Sequence, residues 1–378
     1  MKKGTKLDKV LLIIMFVLIV FGLIMVLSAS SMASYMRYHN SIYYYLIRQT
    51  IFMLIGLVGF FTAIYFPTKF FKSISPFLMF LLIASLFGLT LYGAAFNSSQ
   101  SWYDLKFITI QPSEIGKVII ILFLAYYYGK HKNELDNQWT LLKPVIISLI
   151  VVGFVVMQPD LGTAAVIFGI ILLVFYALPL KKETRMPINR IFTGGIMLIA
   201  LAAILTGGSF LRDYQLKRFQ FLNPCERYED KTGYQLCNSI IALKNGGLTG
   251  KGIGESTQKY LYLPESHTDF IFPIIVEEWG LIVGVIIIIL YMIMLYRILN
   301  IAKKADNLGN AIIAYGVFAY ILFHISINLM GVLNIGPLTG IPLPFLSYGG
   351  SYTITLLFSM GLVQRVHYET YKKNKSKV

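Results

Sequence analysis

The sequence predicts an all-α polytopic membrane protein with about ten transmembrane helices and a long outer loop between spans seven and eight. Three observations predict this class. First, 56% of the 378 residues are hydrophobic and only 13% are charged, with mean hydropathy +0.68. Soluble domains carry about 25% charged residues, so a soluble enzyme and a disordered chain are both excluded. Second, apolar runs recur at close to the ~20 residues that a bilayer crossing needs. They are too long and too continuous for barrel strands, which alternate over about 10 residues. Third, the net charge of +15 is distributed as membrane topology requires.

The runs fall near 10–31, 45–66, 77–96, 113–128, 144–157, 161–178, 191–208, 271–296, 310–333 and 346–364. No small-residue cleavage site follows the first, which reads as a retained span. The fifth is short and ends at Gln158-Pro159-Asp160. Ten spans put both termini on one side. With the termini cytoplasmic, the inner segments hold 21 Lys and Arg, and the short outer segments hold three, Arg37, Arg48 and Lys106. The eight in 209–270 are exempt, because long translocated loops escape the charge rule. Topology therefore accounts for a basicity that in a soluble protein would suggest nucleic acid, and no nucleic-acid partner is expected. The chain reads as one integral membrane domain, 1–378, whose sizeable outer piece is 209–270. That loop contains Phe219, Phe221, Tyr234, Tyr260, Leu261 and Tyr262, and is expected to fold back on the membrane surface.

Ionisable groups within spans are costly and mark function. Glu114 and Lys117 open the fourth span at a spacing that lets them face each other. They form either a self-satisfied ion pair or part of a cavity for a charged amphiphile. Asp160 either caps span six or joins a site. Leu263 through Phe270, then Glu277-Glu278, place four carboxylates and one imidazole within 14 residues at a membrane entrance. A capping role for Asp269 is the plain alternative. Pro337 through Ser351 carries three prolines and three glycines, and broken backbone at membrane depth lines cavities or lies buried. His324 and Asn328, spaced i,i+4, read as interhelical hydrogen-bond glue.

Other patterns exclude chemistry. The run Gly246-Gly247-Leu248-Thr249-Gly250-Lys251-Gly252 lacks the first Gly and the Ser/Thr of a phosphate loop and reads as a turn. Ser266, His267 and Asp269 are chain neighbours and do not by themselves make a hydrolase triad. Neither HExxH nor a CxxC pair occurs. Cys225 and Cys237, both in the outer loop, are either free or joined.

Taken in order, Gln111-Pro112-Ser113-Glu114 with Lys117, Gln158-Pro159-Asp160-Leu161-Gly162, Asn223-Pro224, Gly233-Tyr234-Gln235, Gly246 through Gly254, Leu263 through Phe272, Glu277-Glu278 and Pro342 through Ser351 resemble the motifs of the SEDS family, the FtsW/RodA/SpoVE peptidoglycan polymerases. The resemblance spans essentially the whole chain. It implies polymerisation of lipid II into glycan strands at the outer face of the bacterial cytoplasmic membrane. The anomeric centre inverts and undecaprenyl pyrophosphate leaves. The family's essential carboxylate matches Asp269 within His267-Thr268-Asp269-Phe270. An acceptor hydroxyl needs such a base, and a leaving pyrophosphate needs cations. Lys117, Lys251 and Lys259 are the candidates, and no cofactor is required, although Mg or Mn could assist. Glu114, Lys117, Glu265, His267 and Thr268 are expected substrate contacts. Expected partners are a class B penicillin-binding protein, docked through spans eight and nine and the outer loop, divisome or elongasome proteins, and membrane lipids. In two places the chain departs from the family. Ser101 stands before Trp102 where a basic residue is common, with Lys106 the possible substitute, and Cys225 follows Asn-Pro where an aromatic residue is common.

Two rivals share the membrane setting: a lipid II flippase and a scaffold for a transpeptidase. A flippase needs access from both faces, whereas the polar groups here gather on the outer side.

Overall fold

A computed structural model describes residues 6–38, 41–92, 94–96, 99–104, 109–181, 183–186, 222–260 and 262–376. The expected seventh span at 191–208, the loop stretch 209–221 and Lys106 lie outside the described residues. The first six helices are α1 (Lys9–Tyr38), α2 (Tyr44–Tyr65), α3 (Thr68–Tyr92), α4 (Pro112–Lys130), α5 (Gln138–Met157) and α6 (Leu161–Ala177). After a single 3-10 turn (Pro224–Arg227) come α7 (Lys231–Gly246), α8 (Ile271–Lys303), α9 (Leu308–Val332) and α10 (Gly350–Lys375). Between α3 and α4 lies a small antiparallel sheet, β1 (Ala94–Phe96), β2 (Ser99–Asp104) and β3 (Thr109–Ile110), in the order β1-β2-β3. The purely helical expectation missed it.

Six of these helices, α1, α2, α3, α5, α8 and α9, are long and apolar enough to cross a membrane. They leave large apolar side chains exposed, such as Phe16, Val58, Phe61 and Phe80 at 64–69%, as a lipid-facing surface does. The expectation of ten is therefore met only in part, for physical reasons. The first turns of α4 carry Glu114 and Lys117, α6 is an apolar helix of only 17 residues, and α10 is rich in polar residues. Conversely, α5 starts at Gln138, earlier than its apolar run, because Asn137 caps it through Trp139 N and Pro144 is accommodated inside.

Helix α10 lies along α2. A Cβ on Gly361 would sit 2.5 Å from Phe60 O, so the absence of a side chain is what lets the two backbones meet. Helix α9 packs against α4, α6 and α8, with His324 and Asn328 fully inside. Both ends of the described chain lie at one end of the bundle. Asp8 N donates to Gln364 Oε1 at 2.9 Å and Gln364 Nε2 returns a bond to Asp8 O at 3.1 Å.

Helix α8 is broken at Gly280, where φ is 85°. The break frees backbone groups that must find partners, and the glycine-rich turn supplies them. Lys251 N and Gly252 N donate to Glu277 O and Glu278 O at 2.9 and 3.0 Å, while Leu281 N and Ile282 N donate to Gly247 O and Leu248 O at 3.0 and 3.3 Å. A Cβ on Gly280 would lie 2.2 Å from Leu248 O, so only glycine fits that contact.

Candidate active site

The segment between α9 and α10 has no regular structure, and its backbone is satisfied from three sides. Asn328 Nδ2 donates to Ile341 O at 2.8 Å and to Asp269 O at 2.7 Å. His324 Nδ1 bonds Pro342 O at 3.1 Å. Tyr348 N donates to His267 O at 2.8 Å, and Gln49 of α2 bonds Gly349 N and Thr353 Oγ1 at 3.1 Å each. His324 and Asn328 thus tie α9 to broken backbone, and His324 also makes the expected helix-to-helix contact, to Lys117 of α4 at 2.9 Å.

Against this segment lies a narrow cleft, with no room for a water molecule, lined by Asp269, Asn328, Thr339 and Gly340 with Ile327 and Leu338. Asp269 is 9% exposed. Phe270, with no side-chain capping bond, holds the N-cap position of α8, so Asp269 is not its cap. Asp269 Oδ2 is 3.8 Å from where a Cβ on Gly340 would stand. Thr268 Oγ1 is 3.1 Å from both Asp269 Oδ1 and Glu265 Oε2; its single proton can serve one carboxylate at a time. The His267 ring is buried against Tyr45, with centroids 4.4 Å apart, and faces Tyr348 at 5.6 Å. Glu265, His267, Thr268 and Asp269 therefore share one short turn, as their spacing requires.

Glu114 and Lys117 form a second cluster. Lys117 is fully buried, with Nζ 2.7 Å from Glu114 Oε1 and 2.9 Å from His324 Nε2. An ammonium only donates, so His324 Nε2 accepts and Nδ1 carries the proton given to Pro342 O. The Tyr320 and Tyr352 rings stand 5.5 and 6.0 Å from Nζ, and His324 stacks on Tyr352 at 4.7 Å. Glu114 Oε2 is buried without a hydrogen-bond partner. His324 and Asn328 link this cluster, one helical turn apart, to the segment that lines the Asp269 cleft.

Asp160 takes the capping role considered for it and also reaches the fourth helix's entry. Oδ1 accepts from Thr163 N at 3.0 Å as the cap of α6, and Oδ2 accepts from Gln111 Nε2 at 2.8 Å. The two Gln-Pro motifs thereby meet. Lys251 and Lys259 are both engaged with α8. Lys251 Nζ is 3.1 Å from Glu277 Oε1, and Lys259 Nζ is 2.9 Å from Glu278 Oε1 and 3.1 Å from Ser28 Oγ. Cys225 and Cys237 are joined in a disulfide that ties the 3-10 turn to α7. Among the described residues no group of three or more His, Cys, Asp or Glu could hold a metal ion.

Residues 8–372 match the FTSW_RODA_SPOVE family of cell cycle proteins. The chain belongs to this family. Among curated members it is 34% identical over 363 residues to the probable peptidoglycan glycosyltransferase FtsW of Bacillus subtilis, covering 94% of this chain and 90% of that protein. It is 33% identical to the stage V sporulation protein E of the same organism, over 96% of this chain and 98% of the other. Among solved structures, a chain of a peptidoglycan synthase complex that coordinates polymerization and crosslinking superposes with TM-score 0.76 at 25% identity, over 97% of this chain and 99% of that one. The rod shape determining protein RodA of Thermus thermophilus superposes with TM-score 0.67 at 24% identity, over 97% and 98%.

Several residues that build the site escaped the sequence reading. Ser28 and Gln49 are polar groups inside apolar runs, a pattern that could have flagged them. Tyr320 and Tyr352 carry no such mark, since aromatics are ordinary in spans. Asn245, Ser256 and Thr257 sit in the outer loop, where polar residues are unremarkable, yet all three donate to Glu277.

Proposed function

We propose that this family member is a peptidoglycan glycosyltransferase that polymerises lipid II at the outer face of the cytoplasmic membrane, with Asp269 as general base. The observation that carries the reading is the placement of Asp269 in the cleft lined by residues 338–341 and Asn328. The acceptor sugar hydroxyl gives its proton to the Asp269 carboxylate. Its oxygen then bonds the anomeric carbon from the face opposite the pyrophosphate, whose C–O bond breaks. The anomeric centre inverts, and undecaprenyl pyrophosphate departs with the bonding pair. Thr268 orients Asp269, while Glu265 and His267 shape the acceptor side. Glu114 and Lys117 meet the charged part of the substrate, Glu114 Oε2 being open to a donor. Lys251 and Lys259 act through α8, by fixing the turn that supports its break.

Ten spans with both termini cytoplasmic belong to this reading: the six long apolar helices, α4, α6, α10 and residues 191–208. The Asp8–Gln364 bonds and the distribution of cations support it. The end of the bundle opposite Asp269 is held by Thr68, Asn310, Glu369 and Arg365 in one hydrogen-bonded group. That favours access from one face over a flippase. The likeness to a synthase chain that works alongside crosslinking supports a transpeptidase partner of the class B penicillin-binding type, within the divisome or elongasome.

The test is polymerisation of labelled lipid II by the purified protein with its transpeptidase. A general base supplies about 10²–10⁴-fold, so Asp269→Asn is expected to lose that much. Equal product from both proteins removes Asp269 as the base. No product from either, with lipid II still bound, favours a flippase or scaffold.

A further inference from the structure

A cavity lies at the other end of α8, about 40 Å from Asp269 at 1.5 Å per residue. It has about 90 Å³ of room, enough for a few waters at ~30 Å³ each or for one tetrahedral oxyanion. Its polar walls are Asp8 before α1, Arg297, Asn300 and Lys304 along the end of α8, and His367 and Thr370 on α10. Three helices thus converge on a pocket with two fixed cations and one carboxylate.

The carboxylate does not face an incoming anion. Asp8 is buried, Oδ1 accepts from Leu11 N at 3.0 Å, and Oδ2 accepts from Arg297 Nε at 3.0 Å and from Nη2. Asp8 therefore acts as a clamp that holds the guanidinium plane in place. The opposite edge of Arg297, whose side chain is 37% exposed, keeps its Nη1 donors. Among the described residues no acceptor takes them, and none takes Lys304 Nζ. A guanidinium held in one plane beside a mobile ammonium is a donor set for phosphate oxygens. Basic pockets between helix ends on the cytoplasmic side suit anionic headgroups.

We propose that this pocket binds a phosphate group, that of an anionic phospholipid in the cytoplasmic leaflet. The proposal rests on the orientation given above, with both termini cytoplasmic, and is independent of the chemistry at Asp269. Arg297 and Lys304 contact the phosphate oxygens and Asn300 offers its amide. The lipid thereby sits on the end of α8, against the wall that His367 and Thr370 of α10 provide.

The full chain is placed in phosphatidylcholine nanodiscs doped with phosphatidylglycerol, and the retained lipid is read by native mass spectrometry. Wild type is expected to retain phosphatidylglycerol above its share of the bilayer. Lys304→Gln removes an exposed ammonium that holds no other group. It should lower retention about fivefold, the equivalent of about 1 kcal/mol for one cation near the surface. Arg297→Lys, which keeps a cation beside Asp8 but loses the fork, should also lower it. Lys181→Gln removes an exposed cation elsewhere on the same face and should change nothing. Displacement by added inorganic phosphate assigns the site to the free ion, whereas retention in its presence assigns it to the leaflet. Equal retention in wild type, Lys304→Gln and Arg297→Lys overturns the proposal. So does a loss in Lys181→Gln as large as in Lys304→Gln, which would mean general surface charge. A dipole role for Lys304 at the end of α8 predicts that same unchanged retention.

Discussion

Two buried glutamates in this molecule, each paired with a lysine, are built to opposite standards: the lysine of one, Lys251, reaches the surface, and that of the other, Lys117, is fully buried. Glu277 is fully buried, and both of its oxygens are answered. Oε1 accepts from Asn245, Lys251 and Thr257, and Oε2 accepts from Ser256 Oγ at 2.5 Å and Gln258 N at 3.2 Å. Glu114 is as deeply buried, yet only Oε1 has a partner, Lys117, and Oε2 has none. Buried carboxylates are normally satisfied, and one that is not leaves a place for a donor to enter. The first group has the completeness of a structural joint, and it sits where α8 breaks and needs holding. The second adjoins, through His324, the segment along the Asp269 cleft. The burial and pairing of the glutamates alone do not separate the two; the count of satisfied lone pairs does.

The sharpest way to break this comparison is one substitution at each site. In Glu277→Gln the amide NH2 must face donors whichever way it turns. A loss of about 3–5 kcal/mol is expected, as for a broken buried charge network, read by denaturant unfolding in detergent. Glu114→Gln can turn its amide nitrogen toward the side without a partner and still offer an oxygen to Lys117. Lys117 is nonetheless left buried without a counter-ion, so about 3 kcal/mol is expected, together with a large fall in polymerisation that Glu277→Gln does not share once its loss of folded protein is allowed for. Unchanged polymerisation in Glu114→Gln would mean that the orphan oxygen marks nothing.

The disulfide gives a smaller, more local effect. Cys225 and Cys237 close a loop of 12 residues at the start of α7, and Asn245, at the other end of α7, reaches Glu277. Replacing both cysteines by serine is expected to cost about 2–3 kcal/mol by the loop-entropy scale. Hydrogen exchange should rise in α7, while the 247–252 turn, pinned to α8 by backbone bonds, stays protected. Exchange spreading into 247–252 would show that α7 and the joint at Glu277 are one unit.

These contrasts also show what the sequence could and could not reveal. The spans were legible because a bilayer imposes length and apolarity on each crossing independently. Helices α4, α6 and α10 blur that reading, since each trades apolarity or length for polar groups that neighbouring helices cover. Asp269 and its turn were legible because Glu265 through Asp269 lie within one turn of chain. The partners of Lys251 and Lys259 were not, because the break at Gly280 places them, and no local pattern announces that the 247–252 turn will dock there. His324 and Asn328 were visible as interhelical glue, which His324 provides to Lys117, but their other partners, Pro342 O, Ile341 O and Asp269 O, are backbone atoms that no local pattern points to. The 3-10 turn and α7 were hidden by a composition that reads only as loop with aromatics.

The smallest effect tests whether satisfaction works the same way at the opposite end of the bundle. Glu369 lies in the polar C-terminal part of α10. Burial alone would raise its pKa, but hydrogen bonds from Thr68, Arg365 and Asn310 outweigh it and hold the carboxyl below the ordinary glutamate value. A depressed folded pKa means that the ionised form is favoured in the native state. Its stabilisation is fully present above the unfolded value, about 4.3, and is lost as pH falls through the folded value. Unfolding in detergent between neutral pH and pH 3 should therefore show an acid-side loss that Glu369→Gln largely removes. Thr68→Val should shrink it by withdrawing the hydroxyl, which lies 2.7 Å from Glu369 Oε2. An acid-side loss of unchanged size in both variants would place its origin in other carboxylates.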